Sequence, residues 1–157
     1  RYGGEGGNET ITLNRAESLN STNHGMLETM DVVAQEAGED PAVRCVVITG
    51  TGRAFSAGGD VKGRAGRDGG EARTTAPTGP TAGLRKQEEV SRLLQEMPKP
   101  TICALNGVAA GAGMSVALSA DIRIASDQAR MVTAFATVGF RGDFGGTWLL
   151  PRLVGPA

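Results

Sequence analysis

Two glycine-rich stretches carry residue types that can bind negative charge through backbone groups. Asn106-Gly-Val-Ala-Ala-Gly-Ala-Gly-Met-Ser-Val-Ala-Leu-Ser-Ala-Asp121 follows a β-type run, Thr101-Ile-Cys-Ala-Leu105, and opens a helix of small and apolar residues at 111–120. A helix start gathers unpaired N–H groups and the positive end of the helix dipole at one point. Such a point suits an anion, or an oxyanion that develops during a reaction. Close packing of a helix on a sheet is the other use of the same small residues. Arg53-Ala-Phe-Ser-Ala-Gly-Gly-Asp-Val-Lys62 also follows a β-type run, 43–49, and also puts small residues where backbone approaches something closely. Two strand-to-turn sites can supply the two N–H donors that an oxyanion hole requires.

The elements that must position these turns alternate in type. Residues 9–13, 43–49, 101–105, 121–125 and 129–133 read as strands. A helix with apolar positions Met26, Leu27, Met30, Val33, Ala34 and Ala37 takes its N-cap from Asn20-Ser-Thr22 and ends at Gly38. A second helix spans 84–97, with Val90, Leu93, Leu94 and Met97 inward, and is stopped by Pro98 and Pro100. Strands alternating with helices imply parallel βαβ units, and both glycine-rich turns fall at strand ends, where open α/β sheets place ligands. Residues 63–83, rich in Gly, Thr, Arg and Pro and without periodicity, read as a long mobile loop. One α/β domain over 1–157 is expected.

Composition narrows the partners. With 157 residues, 39% apolar content and a net charge of −1, the chain reads as an ordinary soluble domain with a substantial core. It has no basic stripe for nucleic acid and no membrane-length apolar run or targeting pattern, so a cytoplasmic protein is expected. Cys45 and Cys103 sit in apolar β-type runs and read as buried thiols, not as a disulfide or a metal site. His24, in the first turn of the first helix, has no acidic or nucleophilic partner placed by the sequence and reads as a surface residue.

Phe55-Ser-Ala-Gly-Gly-Asp60, Asn106-Gly-Val-Ala-Ala-Gly-Ala-Gly113 and Gly145-Gly-Thr-Trp-Leu-Leu-Pro-Arg152 together resemble the crotonase, or enoyl-CoA hydratase/isomerase, superfamily. The resemblance runs from about Thr10 to the last residue and implies a spiral of ββα units. It also implies that a C-terminal helical region, which closes the acyl pocket and builds trimers or dimers of trimers in the family, is absent from a chain ending at Ala157. The implied substrate is an acyl-CoA thioester, with CoA as part of the substrate and no cofactor or metal. Matched residue by residue, the oxyanion donors are Gly59 and Ala112. Ser18, Leu19, Ala57, Gly59, Asp60, Val61, Lys62 and Phe135 fall where the family contacts its substrate, Lys62 reaching toward a CoA phosphate and Phe135 making its part of the pocket apolar.

Side chains decide the reaction, and here the sequence departs from the hydratases. Those enzymes hold water with two glutamates, and the matching positions are Ser115 and Phe135, neither of which is a base. Asp143, in Gly142-Asp-Phe-Gly-Gly146, matches the single acid/base of certain ring-modifying and enoyl-CoA isomerases, and the motif wording is closest to the phenylacetate-pathway isomerases. Apolar neighbours raise the proton affinity of such a carboxyl and the adjacent helix start lowers it. A turn-capping role is the other reading of Asp143. Other functions stay open: an enoyl-CoA hydratase, an aryl-CoA dehalogenase-like enzyme using Asp143 as nucleophile, for which His24 is not at the assisting histidine's place, and a catalytically silent acyl-CoA-binding paralogue. Asp121, at the end of the central helix, reads as structural.

Overall fold

The computed structural model describes residues 2–60, 88–137, 139 and 142–155. The loop expected at 63–83, with Val61 and Lys62, lies outside the described residues. In chain order the elements are β1 (Tyr2–Glu5), β2 (Asn8–Leu13), a 3₁₀ turn (Ala16–Ser18), α1 (His24–Glu39), β3 (Cys45–Gly50), β4 (Ala54–Ser56) and α2 (Glu89–Glu96). They continue with β5 (Thr101–Leu105), β6 (Val108–Ala110), α3 (Ala112–Ser119), β7 (Ile122–Ala125), β8 (Arg130–Val132), α4 (Ala134–Thr137) and α5 (Gly146–Val154).

The strands divide between two sheets, ordered β1-β2-β3-β5-β7 and β4-β6-β8. Every pairing is parallel except that of β1 with β2. In each of the pairs β3-β4, β5-β6 and β7-β8 the first strand joins the larger sheet and the second joins the smaller, and a helix follows. This is the spiral of ββα units that the resemblance implies. The repeat lies in topology, not in sequence. Its consequence is positional: β4 and β6 run side by side in one direction, so the chain leaves both at the same edge.

Alternation builds the larger sheet. In β3, Val46 and Ile48 are buried while Cys45, Val47 and Thr49 are partly exposed; in β5, Thr101, Cys103 and Leu105 are buried. Helix α1 closes one side with Leu27, Met30, Ala34 and Ala37, which join Val90 and Leu94 of α2 in the same core as the strands. Helix α3 has no polar face at all, and every one of its residues is buried, as expected of a helix enclosed on all sides. Its serines are reconciled with burial by bonding back along the helix, Ser115 Oγ to the Gly111 carbonyl (3.4 Å) and Ser119 Oγ to the Ser115 carbonyl (2.9 Å).

Several expectations are corrected. Helix α1 is capped by Asn23, whose Oδ1 accepts the Met26 N–H at 2.9 Å, not by residues 20–22, and it runs through Gly38 to Glu39. Asn20 is instead buried in a turn of its own. Strands β1, β4 and β6 and helix α4 were not legible as separate elements. Asp121 is structural as expected: its carboxylate accepts the backbone N–H and the hydroxyl of Thr101, each at 2.8 Å, and ties the end of α3 to the start of β5. Cys45 and Cys103 are free thiols, and burial pushes Cys103 up to about 12. His24 is exposed and faces Glu28 across one helical turn at 3.2 Å.

Candidate active site

The turn after β4 is held from one side by the segment before α1. Ala57 donates its N–H to the Leu19 carbonyl (2.9 Å), Thr22 donates to the Gly58 carbonyl (2.7 Å), and Asp60 donates to the Thr22 carbonyl (2.9 Å). Thr22 and Gly59 therefore form a parallel bridge. In such a bridge the bonds run through the residues flanking Gly59, so the N–H of Gly59 itself faces away from Thr22. Gly58 donates to Ser56 Oγ at 3.2 Å. Ser18, Leu19, Ala57, Gly59 and Asp60 are thus brought together at one turn. Asp60 is also engaged by Arg15, Nη2 to Oδ2 at 3.1 Å, with both side chains mostly buried.

Asn20 clamps this turn and was missed by sequence reading. Its Oδ1 accepts the Arg15 N–H (2.9 Å), its Nδ2 donates to the carbonyls of Thr51 (2.9 Å) and Ala54 (2.8 Å), and its carbonyl accepts Ser56 Oγ (2.8 Å). The side chain is fully buried and its φ is +54°. Asn tolerates that left-handed conformation better than Ala and can bond to three backbone groups at once. Asn20→Ala is expected to leave buried polar groups unpaired and to lower stability by about 3 kcal/mol. For a chain of this size the melting temperature would fall by about 10 °C in a thermal scan.

The turn after β6 meets the same point. Gly111 has φ +49° and ψ −122°, a backbone shape closed to residues with a Cβ, and it starts α3 without a side-chain cap. The first intrahelical bond is Ser115 N–H to the Gly111 carbonyl, so the N–H groups of Ala112, Gly113 and Met114 have no partner within the helix. The two turns touch: a Cβ on Gly58, whose φ is +87°, would lie 2.6 Å from the Ala110 carbonyl oxygen and 3.3 Å from the Ala112 nitrogen. The two glycine-rich turns therefore meet at the start of α3. This arrangement can hold a carbonyl oxygen as it gains negative charge.

Phe135, on α4, is the wall beside these donors. A Cβ on Gly111 would be 3.9 Å from its ring, and one on Gly142 would be 3.0 Å from its Cζ. The ring also packs against Met114, Leu118 and Leu149. It therefore links the start of α3 to the turn that carries Asp143, whose carbonyl accepts the Gly146 N–H at 2.9 Å as α5 begins. Ser115 lies one turn into α3 and is fully buried, and a Cβ on Gly146 would fall 2.3 Å from its Oγ. A glutamate at 115 has no room unless α5 moves.

Backbone strain gathers at these turns. Among the described residues the non-glycine positions with positive φ are Leu19, Asn20 and Phe144. Phe144 follows Asp143, is buried, and has φ +50°, a conformation that costs an ordinary side chain about 1–2 kcal/mol.

Glu88, the N-cap position of α2, is the second residue that sequence reading missed. Its carboxyl is pushed upward mainly by burial and further by the charge of Asp143, while the Phe144 backbone N–H pulls it down. A carboxyl raised on folding stabilises the fold while protonated, and that contribution is lost as pH rises through its titration. Glu88→Gln is therefore expected to melt at a higher temperature than the parent at pH 7, with the difference closing toward pH 4. A cleft of about 440 Å³ between β2 and α1, lined by Ile11, Leu13, Met26 and Met30 among others, includes none of Gly59, Ala112, Phe135 or Asp143.

Among the described residues no group of three or more His, Cys, Asp or Glu could hold a metal ion, and no helix is long and apolar enough to cross a membrane. The family described as enoyl-CoA hydratase/isomerase matches residues 8–157. The chain is 44% identical over 158 residues to the 1,2-epoxyphenylacetyl-CoA isomerase of Escherichia coli, covering 98% of this chain and 57% of that protein. It is 38% identical over 152 residues to the short-chain-enoyl-CoA hydratase of Clostridium acetobutylicum, covering 96% of this chain and 55% of that protein. The crystal structure of an enoyl-CoA hydratase from Bacillus anthracis superposes with a TM-score of 0.87 at 30% identity, over 100% of this chain and 58% of that one. The chain thus spans little more than half the length of these relatives.

Proposed function

Since this chain belongs to the enoyl-CoA hydratase/isomerase family, we propose that it shifts a double bond in an enoyl-CoA thioester, with Asp143 as the single acid/base. The Gly59 and Ala112 N–H groups hold the thioester oxygen as the enolate forms. Asp143 takes a proton from one carbon and returns it to another, and Phe135 keeps water from the intermediate. CoA is part of the substrate, and the reaction needs no resident cofactor. Ser18, Leu19, Ala57 and Asp60, with Val61 and Lys62 beyond the described residues, line the approach of the CoA moiety. A cytoplasmic homotrimer or dimer of trimers accompanies this reading.

The observation that carries it is that both hydratase positions are apolar or filled. Phe135 occupies one, and Ser115 is packed under Gly146 at the other. The 44% identity to an isomerase supports it as well. Hydration is the second reading, favoured by the name of the hydratase relative. It requires a group that activates water, which neither Ser115 nor Phe135 supplies.

The test is to offer the intact protein a Δ3-enoyl-CoA and, separately, a Δ2-enoyl-CoA, and to separate the products. Migration of the double bond with hydration near background upholds the proposal. Dominant hydration replaces it with the second reading, and tight thioester binding without turnover replaces it with a silent acyl-CoA-binding module.

A further inference from the structure

Gly113, the second residue of α3, has a helical backbone with no left-handed φ. Alanine is the better helix former at such a position, so what glycine supplies there is room. The room is filled by Ser56, the last residue of β4. A Cβ on Gly113 would lie 2.6 Å from Ser56 Cβ, 2.7 Å from its carbonyl oxygen and 2.8 Å from its Oγ. Ser56 is fully buried and is held in place: its Oγ donates to the Asn20 carbonyl at 2.8 Å and accepts the Gly58 N–H at 3.2 Å. One residue thus touches both elements that carry the proposed donors, the turn after β4 through its hydroxyl and the first turn of α3 through its Cβ.

The seam has a second fixed point on the other side of Ala112. There Gly58 sits against the Ala110 carbonyl oxygen, 2.6 Å from where a Cβ would be. Ala112 is flanked in sequence by these contacts at 110 and 113, and Gly59 directly follows Gly58. The gap between the two turns is set by backbone against backbone, with the Ser56 side chain the one inserted in it at Gly113. Atoms packed this closely pass a displacement on to their neighbours and do not absorb it.

From this contact we propose that Ser56 is a positioning residue that sets the spacing of the two oxyanion donors, its Cβ serving as the spacer between the turn after β4 and Gly113. The proposal rests on the reading of Gly59 and Ala112 as the groups that hold the thioester oxygen, and adds what fixes their separation. Two donors act together only when each lies about 2.7–3.1 Å from the same oxygen, so a small change in the gap weakens one of the bonds. The spacing can be changed without removing any N–H. Gly113→Ala keeps every backbone donor and drives the turn off the helix. Ser56→Gly removes two of the three atoms that the new methyl group would meet, and so relieves Gly113→Ala in part.

The deciding experiment is carbon NMR of butanoyl-CoA labelled at the thioester carbonyl and bound to the intact protein. Hydrogen bonds to the oxygen draw electron density from the carbonyl carbon and move its signal downfield, and a saturated chain has no double bond to shift. The parent is expected to show this displacement. Gly113→Ala loses most of it while the ester still binds, and kcat on a Δ3-enoyl-CoA falls about a hundredfold, the cost of a misplaced reacting group. Adding Ser56→Gly to Gly113→Ala recovers part of both. Met30→Ala, a core truncation in α1, lowers the melting temperature and leaves the displacement in place, which separates position from stability. An unchanged displacement in a folded Gly113→Ala overturns the proposal, and so does a double variant with less displacement than Gly113→Ala. Should Gly113→Ala not fold, Ser56→Gly decides alone: a displacement smaller than the parent's upholds the spacer, and an equal one overturns it. A parent without displacement overturns the donor assignment and the spacer with it. The expected series in a protein that moves no double bond upholds the spacer and overturns the reaction alone.

Discussion

Asp143→Asn is expected to lower kcat for double-bond migration by about a thousandfold, within the range that a positioned acid/base contributes. Asparagine has nearly the shape of aspartate, and the backbone bond from Gly146 N–H to the residue 143 carbonyl is kept. What it cannot do is accept a proton. The thioester is still held by backbone donors, so KM changes little while kcat collapses, the signature of an interaction made in the transition state. Removing a negative charge beside Glu88 also relieves a like-charge contact, so the folded protein should be no less stable. A steady-state assay with a thermal scan on the same preparation separates the two. Loss of activity with a lowered melting temperature would return Asp143 to the role of turn cap.

The second large effect concerns an atom that no side-chain substitution touches. Ala112 is the first residue of α3, a position where proline fits a helix because the N–H there has no intrahelical partner. Ala112→Pro therefore deletes one donor of the proposed oxyanion hole and leaves the helix ladder intact. A fall in kcat of about a hundred- to a thousandfold is expected, with the melting temperature close to that of the parent. An active Ala112→Pro enzyme would show that the oxygen is held elsewhere.

The sequence made the larger scaffold readable because its strands alternate or run apolar and its helices carry regular stripes. Val46 and Ile48 in β3 and Leu27, Met30, Ala34 and Ala37 in α1 are examples. The strands β4 and β6 are three residues each, too short for a period to announce them. The two donor turns were visible for a different reason, since backbone sites need glycine and glycine is conspicuous. Asn20 and Glu88 were hidden because their meaning is tertiary. Asn20 bonds to groups as far as 36 residues away, and Glu88 meets Phe144 only because α2 and α5 flank the same helix. The left-handed backbone of Leu19, Asn20 and Phe144 is equally silent in sequence, although it marks both sides of the site. Expectations for α1 erred at its ends, where Asn23, and not the candidates at 20–22, is the cap and Gly38 is tolerated inside the helix.

The central claim is that one carboxylate moves a proton between carbons while water is kept out. Its most direct test is mass-spectrometric analysis of the products formed from a Δ3-enoyl-CoA in deuterated water by the intact protein, beside Asp143→Asn. The account predicts a migrated double bond, deuterium at the α or γ carbon, only background β-hydroxyacyl product, and loss of both migration and exchange in the variant. Rapid β-hydroxyacyl formation that survives Asp143→Asn would contradict it and assign the chemistry to another group.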